Sequence, residues 1–244
     1  MITKLRNRLK FTTIILLSVI GLNTQISFAL DKINWEGPYV GVGVQSLNGG
    51  VNGNFISNGA AHSRDIDGES MEFHVGYNKD LTQYGVNNYI AGIELSYSDH
   101  DLLGGVKSQR TCPGAAFDCK SSINYSWTAK TKLGFKYENF LPNLFVGYTN
   151  DQITSRTDRK DNSAMGGSTE TVEGILYGIG ADYYLNNNSF IGFSFYETQM
   201  NMERFTADSG DKVDAKLKYN TIRLNLLIIT VFNLYLFLNL FFDT

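Results

Sequence analysis

The chain has 244 residues, 43% hydrophobic and 18% charged, with 24 Gly and only 3 Pro. That balance excludes a disordered tail, a collagen and a polyproline scaffold. Only two stretches are continuously apolar, one at each end, which argues against a helical membrane protein. The 14 Tyr and 16 Phe against 2 Trp favour strands, and the length suits one sizeable all-β domain.

The first segment reads as a secretory signal peptide, residues 1–29. Lys4, Arg6, Arg8 and Lys10 form a basic start, Phe11 to Leu22 a short apolar stretch, and Ser27-Phe28-Ala29 a small-x-small cleavage site. About 12 apolar residues cannot cross roughly 30 Å of hydrocarbon as a helix. Cleavage after Ala29 is therefore expected. It removes four of the 21 basic residues and none of the 24 acids, so the formal charge falls from −3 to −7. No basic surface for nucleic acid is left.

Beyond this segment the apolar residues recur with period two. Weaker runs cover Tyr39 to Gln45, Leu144 to Thr149, Phe190 to Met200 and Val213 to Leu226. Stronger ones cover Met71 to Tyr77, Tyr89 to Ser98 and Ile175 to Tyr183. The clearest is Ile123 to Tyr137: Ile123, Tyr125, Trp127, Ala129, Leu133, Phe135 and Tyr137 share one face, opposite Asn124, Ser126, Thr128, Lys130, Lys132, Gly134 and Lys136. Eight strands are predicted.

Their connections alternate in length. Polar, Gly- and Asn-rich stretches cover Leu47 to Glu69, Asp101 to Lys120, Thr154 to Thr169 and Asn201 to Asp211. Short turns sit at Leu81 to Asn87, Glu138 to Asn139 and Asn186 to Asn188. All long loops then emerge at one end of the sheet, as in an up-and-down antiparallel barrel. Tyr77, Tyr89, Tyr97, Tyr125, Tyr137 and Tyr183 sit near strand ends on the apolar face, like the interfacial girdles of a barrel that meets lipid outside and is polar inside. The expected fold is an all-β, eight-stranded transmembrane barrel over residues 30–227. A soluble barrel that turns its apolar face inward around a ligand is the weaker reading.

Two cysteines, Cys112 and Cys119, lie in one predicted loop beside Pro113 and Gly114. In an exported protein such a pair most simply closes a disulfide. His62, His74 and His100 are not grouped with it, so no metal site is expected.

Three stretches resemble the small outer-membrane β-barrels of Gram-negative bacteria, of the OmpA transmembrane-domain type and the related alphaproteobacterial porin-like surface antigens. They are Trp35-Glu36-Gly37-Pro38-Tyr39-Val40-Gly41-Val42-Gly43, then Tyr125 to Phe135 followed by Leu141-Pro142-Asn143-Leu144-Phe145-Val146-Gly147, and Tyr177 to Leu185. The resemblance implies a bacterial outer-membrane location. It also implies contact with membrane lipid and lipopolysaccharide, assembly by the barrel-assembly machinery, and host surface molecules as a further partner class. Such barrels normally end on an aromatic that the assembly machinery reads. Here Ile222, Leu224 and Leu226 begin a last strand, then residues 228–244 form an atypical hydrophobic tail. An altered reading frame and a genuine extra segment both account for it. Parity also shifts between Tyr219 and Ile222, which admits a bulge.

Eight strands enclose a lumen just wide enough for side chains to fill. The inward charged set is Glu72, His74, Glu94, Lys130, Lys132, Lys136 and Arg223, expected to pair because an isolated ion there is costly. A salt-bridged plug is the first reading and a narrow channel for small solutes the second. Ser98-Asp99-His100-Asp101 is the one local arrangement that suggests a nucleophile and base, and no second motif supports it. Gly41-x-Gly43 and Gly178-x-Gly180 lie inside strands with no helix following, so they are not phosphate loops. Arg156, Asp158, Arg159, Lys160 and Asp161 read as a solvated loop tip. No enzyme activity and no cofactor are expected. Nor is a cell-wall anchoring role, since no peptidoglycan-binding domain follows the barrel.

Overall fold

A computed structural model describes residues 33–111, 117–160, 165–186, 189–206, 210 and 212–229. The expected signal segment, Cys112 and the tail beyond Ile229 lie outside these residues. The strands are β1 (Gly37–Phe55), β2 (Ala61–Asp80), β3 (Tyr89–Asp99), β4 (Val106–Thr111), β5 (Phe117–Phe135), β6 (Phe140–Arg159), β7 (Met165–Asn186), β8 (Ser189–Thr206) and β9 (Lys212–Ile229). Each neighbour pair is antiparallel, and β1 pairs with both β2 and β9, closing the ring. β3 and the short β4 share one place between β2 and β5. The barrel thus has eight positions around its wall.

The outside of the ring explains why it closes in this sense. Ile93, Leu95, Leu133, Leu144, Val146, Ile179 and Phe193 are all at least 48% exposed, a belt that only lipid would cover. Aromatic rings border it on both sides. Tyr97 packs on Trp127 at 4.9 Å on one border; Tyr89 on Phe135 at 5.4 Å and Phe140 on Tyr183 at 4.8 Å mark the other. From Tyr89 to Tyr97, a rise of 3.4 Å per residue and a tilt near 40° give about 21 Å along the barrel axis, close to the usual apolar band.

The strands do not stop at that belt, and here the sequence expectation is corrected. Most of the stretches read as long polar loops are strand: between β1 and β2 the connection is residues 56–60 alone. Beyond Trp127, β5 continues to Phe117, about 26 Å along the axis by the same rise and tilt. In this projection the hydrophobic parity is reversed. Leu47, Val51, Ile66, Ile153, Val172 and Leu217 point inward and are buried, while Asn48, Asn52, Asp65 and Lys216 face out. Water covers the outside there, so the apolar residues turn in.

Two further expectations change for this reason. Ile123 does not share a face with Tyr125: Asn124 is an extra residue between the pairs Ile123–Ile153 and Tyr125–Gln152, and that bulge sends Ile123 inward. β9 carries no bulge at its parity shift. It alternates regularly from Val213 to Ile229, with Val213, Ala215, Leu217 and Tyr219 inside and Ile222 and Ile228 outside. The register break lies on β8, between Gln199 and Met202. Ile228 and Ile229 remain in the sheet, opposite Val40 and Tyr39, so the last strand runs two residues past the expected boundary.

Candidate functional site

The lumen is layered. At the end with the short turns, Trp35 packs edge-on against Phe190 and Tyr184 at 5.6 and 5.7 Å, and Tyr39 against Phe190 at 5.9 Å. Ile90, Leu141 and Leu227, all buried, complete this floor. The apolar cluster of Leu47, Ile66, Ile123, Met200 and Leu217 fills the projecting end. Between the two lies a polar layer inside the membrane belt.

Five of the seven expected charged residues meet in that layer. Glu72, His74, Glu94, Lys130 and Arg223 all point inward and are at most 6% exposed. Lys130 Nζ is 2.7 Å from Glu94 Oε1 and 4.0 Å from Glu72 Oε1. Arg223 Nη1 donates to Glu94 Oε1 at 2.9 Å and also to Glu72 Oε1. His74 Nδ1 stands 3.4 Å from Glu72 Oε1. Two carboxylates thus face two permanent cations. The remaining carboxylate lone pairs are also used: Tyr39 donates to Glu94 Oε2 at 2.9 Å and Ser98 to Glu72 Oε2 at 3.4 Å. Behind Ser98, Gln45 donates to its hydroxyl and Tyr196 donates to Gln45. Engagement of both carboxylates in this way makes the buried charges tolerable, although the two ring nitrogens of His74 are buried without a hydrogen-bond partner.

Lys132 lines the same lumen cavity but takes a different partner, and Lys136 lies outside the layer. Lys132 reaches Asp182 Oδ2 at 3.4 Å, with its ammonium 4.8 Å from the Tyr39 ring centre, nearer the floor. Lys136 lies one residue past the end of β5, where it pairs with Asp80 at 2.6 Å beside the first turn of a short 3-10 helix, Leu81–Tyr84. Half-burial raises the Asp80 pKa, but hydrogen bonds from Lys136 and Thr82 outweigh it and hold the carboxyl at about 2.

Sequence reasoning missed Tyr39, Gln45, Asp182 and Tyr196 as partners in the lumen network. The signal for the first two was their parity: Val40 and Val42 face lipid, so Tyr39 and Gln45 must face in. Asp182 shared a face with Gly178 and Gly180, and only the register shows that Lys132 lies close to it.

The Ser98–His100 pair also resolves. Both face inward, but Ser98 bonds to Gln45 and Glu72, whereas His100 Nε2 pairs with Ser126 Oγ at 2.8 Å. A serine whose proton goes to a carboxylate, next to a histidine engaged by another serine, lacks the nucleophile–base contact. The charged tip is corrected as well. Asp158 is buried on β6, accepting from Lys120 of β5 and from Arg156, each at 2.8 Å; Lys160 is exposed, and Asp161 lies outside the described residues. Cys119 is buried on β5, and no free cysteine occurs among the described residues.

The model of the outer membrane protein beta-barrel domain matches residues 14–228. The chain belongs to this outer-membrane β-barrel family. The barrel is accordingly a surface protein of the bacterial outer membrane. It is 20% identical over 209 residues to the 31 kDa outer-membrane immunogenic proteins of Brucella melitensis and Brucella suis, covering 81% of this chain and 84% of each relative. Among solved structures it is similar to the outer membrane protein OprG from Pseudomonas aeruginosa, with 12% identity, TM-score 0.48, and coverage of 80% of this chain and 97% of that one.

Proposed function

We propose that this outer-membrane barrel is a sealed surface protein whose lumen serves stability and whose projecting end serves contact. One observation carries the reading. The charged layer is closed by an aromatic floor on one side and an apolar cluster on the other, and the cavity lined by Glu94, Lys130, Lys132, Asp182 and Arg223 measures about 20 Å³, room for little more than one water. A continuous water path would have to cross both apolar layers.

The partners that fit are outer-membrane lipid and lipopolysaccharide around the belt, the barrel-assembly machinery during insertion, and host surface molecules at the projecting end. Loops on a rigid wall are where recognition sits. The buried, separately engaged Ser98 and His100 support a non-enzymatic role, and cleavage after Ala29 fits the export that this location requires.

Planar-bilayer recording tests the reading. The expected result is no stable unitary conductance from folded protein. Steady steps abolished by Glu94→Gln would instead establish the narrow channel.

A further inference from the structure

Arg64 differs from the other buried cations. It points from β2 into the projecting end of the lumen, is 4% exposed, and has no acid within ion-pair distance among the described residues. Lys130 and Arg223, buried to the same degree, each touch two carboxylates. The partners of Arg64 are hydroxyls: Nη2 donates to Ser121 Oγ and, at 3.2 Å, to Ser155 Oγ. Its Nε–H is buried with no hydrogen-bond partner. Burial pushes the guanidinium down to about 10, which leaves it charged at neutral pH.

Among the described residues, those lining the two cavities beside Arg64 include no acid. Val51, Ile66 and Leu217 form the wall on one side. On the other is His62, whose two ring nitrogens are buried without partners. Burial first, and then the charge of Arg64, lower the His62 pKa to about 4, so the ring is neutral. A buried cation without a counter-ion is costly by several kcal/mol, and a water molecule satisfies hydrogen bonds without cancelling the charge.

The donor set defines what would cancel it. Both serine hydroxyls accept from the guanidinium and keep their own protons to give. With the free Nε–H, the site offers donors and a positive charge, and it presents no carboxylate. The cavities beside Arg64 measure about 10 Å³ each, the size of one water-like sphere, too small for a phosphate or sulfate group.

We infer that Arg64, with Ser121 and Ser155, forms an internal binding site for one small monovalent anion of halide size in the projecting end of the lumen. The occupied site neutralises the outer half of the plug as Glu72 and Glu94 neutralise the inner half.

The test uses the full folded barrel in detergent, with sodium chloride replaced by sodium gluconate at constant ionic strength. Chloride is expected to raise the urea midpoint along a saturable curve that gluconate does not reproduce. Ser155→Ala should raise the half-saturating chloride about three- to tenfold, the worth of one hydrogen bond, and Arg64→Gln should abolish the chloride-specific part. Should Arg64→Gln fail to fold, wild-type crystals in bromide decide: an anomalous peak beside Arg64 Nε supports the site. Coincident chloride and gluconate curves for the wild type, or no bromide peak there, overturn it.

Discussion

Arg223 Nη1 lies 2.9 Å from Glu94 Oε1, joining the last strand to the third across the lumen between residues 129 positions apart. Because Arg223 also holds Glu72, one guanidinium ties β9 to β2 and β3. Glu94→Ala leaves Arg223 and Lys130 sharing a single carboxylate in a buried layer. A loss of about 3–5 kcal/mol is expected, since breaking one side of a buried pair strands charge. Urea unfolding in micelles measures it, and a change below about 1 kcal/mol would show that the layer is solvated.

Ile66→Ala should cost about 2–4 kcal/mol, because Ile66 is 1% exposed within the apolar cluster of the projecting end and truncation leaves a cavity. The same unfolding assay reads the loss. An effect near zero would mean that this end of the wall is not packed as a plug.

Ile93→Arg tests the orientation of the wall. Ile93 is 62% exposed midway along the lipid belt, where an arginine costs about 2–4 kcal/mol in a bilayer. Refolding yield into lipid vesicles should drop. If yield is unchanged while Ile66→Arg is tolerated equally well, the barrel has been turned inside out.

Acid should loosen the turn between β2 and β3. The Asp80 carboxyl is held at about 2, below its ordinary value of 3.8, so its pairing contributes fully above pH 4 and is lost as pH falls from about 4 through 2. The hydrogen-exchange protection factor of the Thr82 amide, which donates to Asp80 at 2.9 Å, should fall in that window. In Asp80→Asn this pH-dependent fall should vanish; persistence there would assign it to another group.

Alkylation of the unreduced, denatured protein should find no free thiol. Reduction should lower stability by about 2–3 kcal/mol through release of the short loop closed by Cys112 and Cys119. Two alkylated cysteines before reduction would refute the pairing.

The amino-acid sequence by itself determined the wall within the membrane. Ala91, Ile93, Leu95 and Tyr97 alternate with Gly92, Glu94, Ser96 and Ser98, and lipid accepts only one side of such a strand, so the local pattern decides which face is out. The same holds for the aromatic borders and for the inward direction of Glu72, Glu94, Lys130 and Arg223. Partnership is different, because it depends on the register of strands distant in the chain. Lys132 finding Asp182, and Lys136 leaving the lumen for Asp80, follow only once the ring has closed. The projecting end was hidden for another reason. Its inward residues alternate with Asn, Asp and Lys that match water instead of lipid, so the solvent outside the wall changes while the strand continues. Only the tertiary structure shows where that change falls, at the Asn124 bulge on β5 and between Tyr219 and Ile222 on β9, and thereby that the polar stretches are wall and their apolar residues a plug.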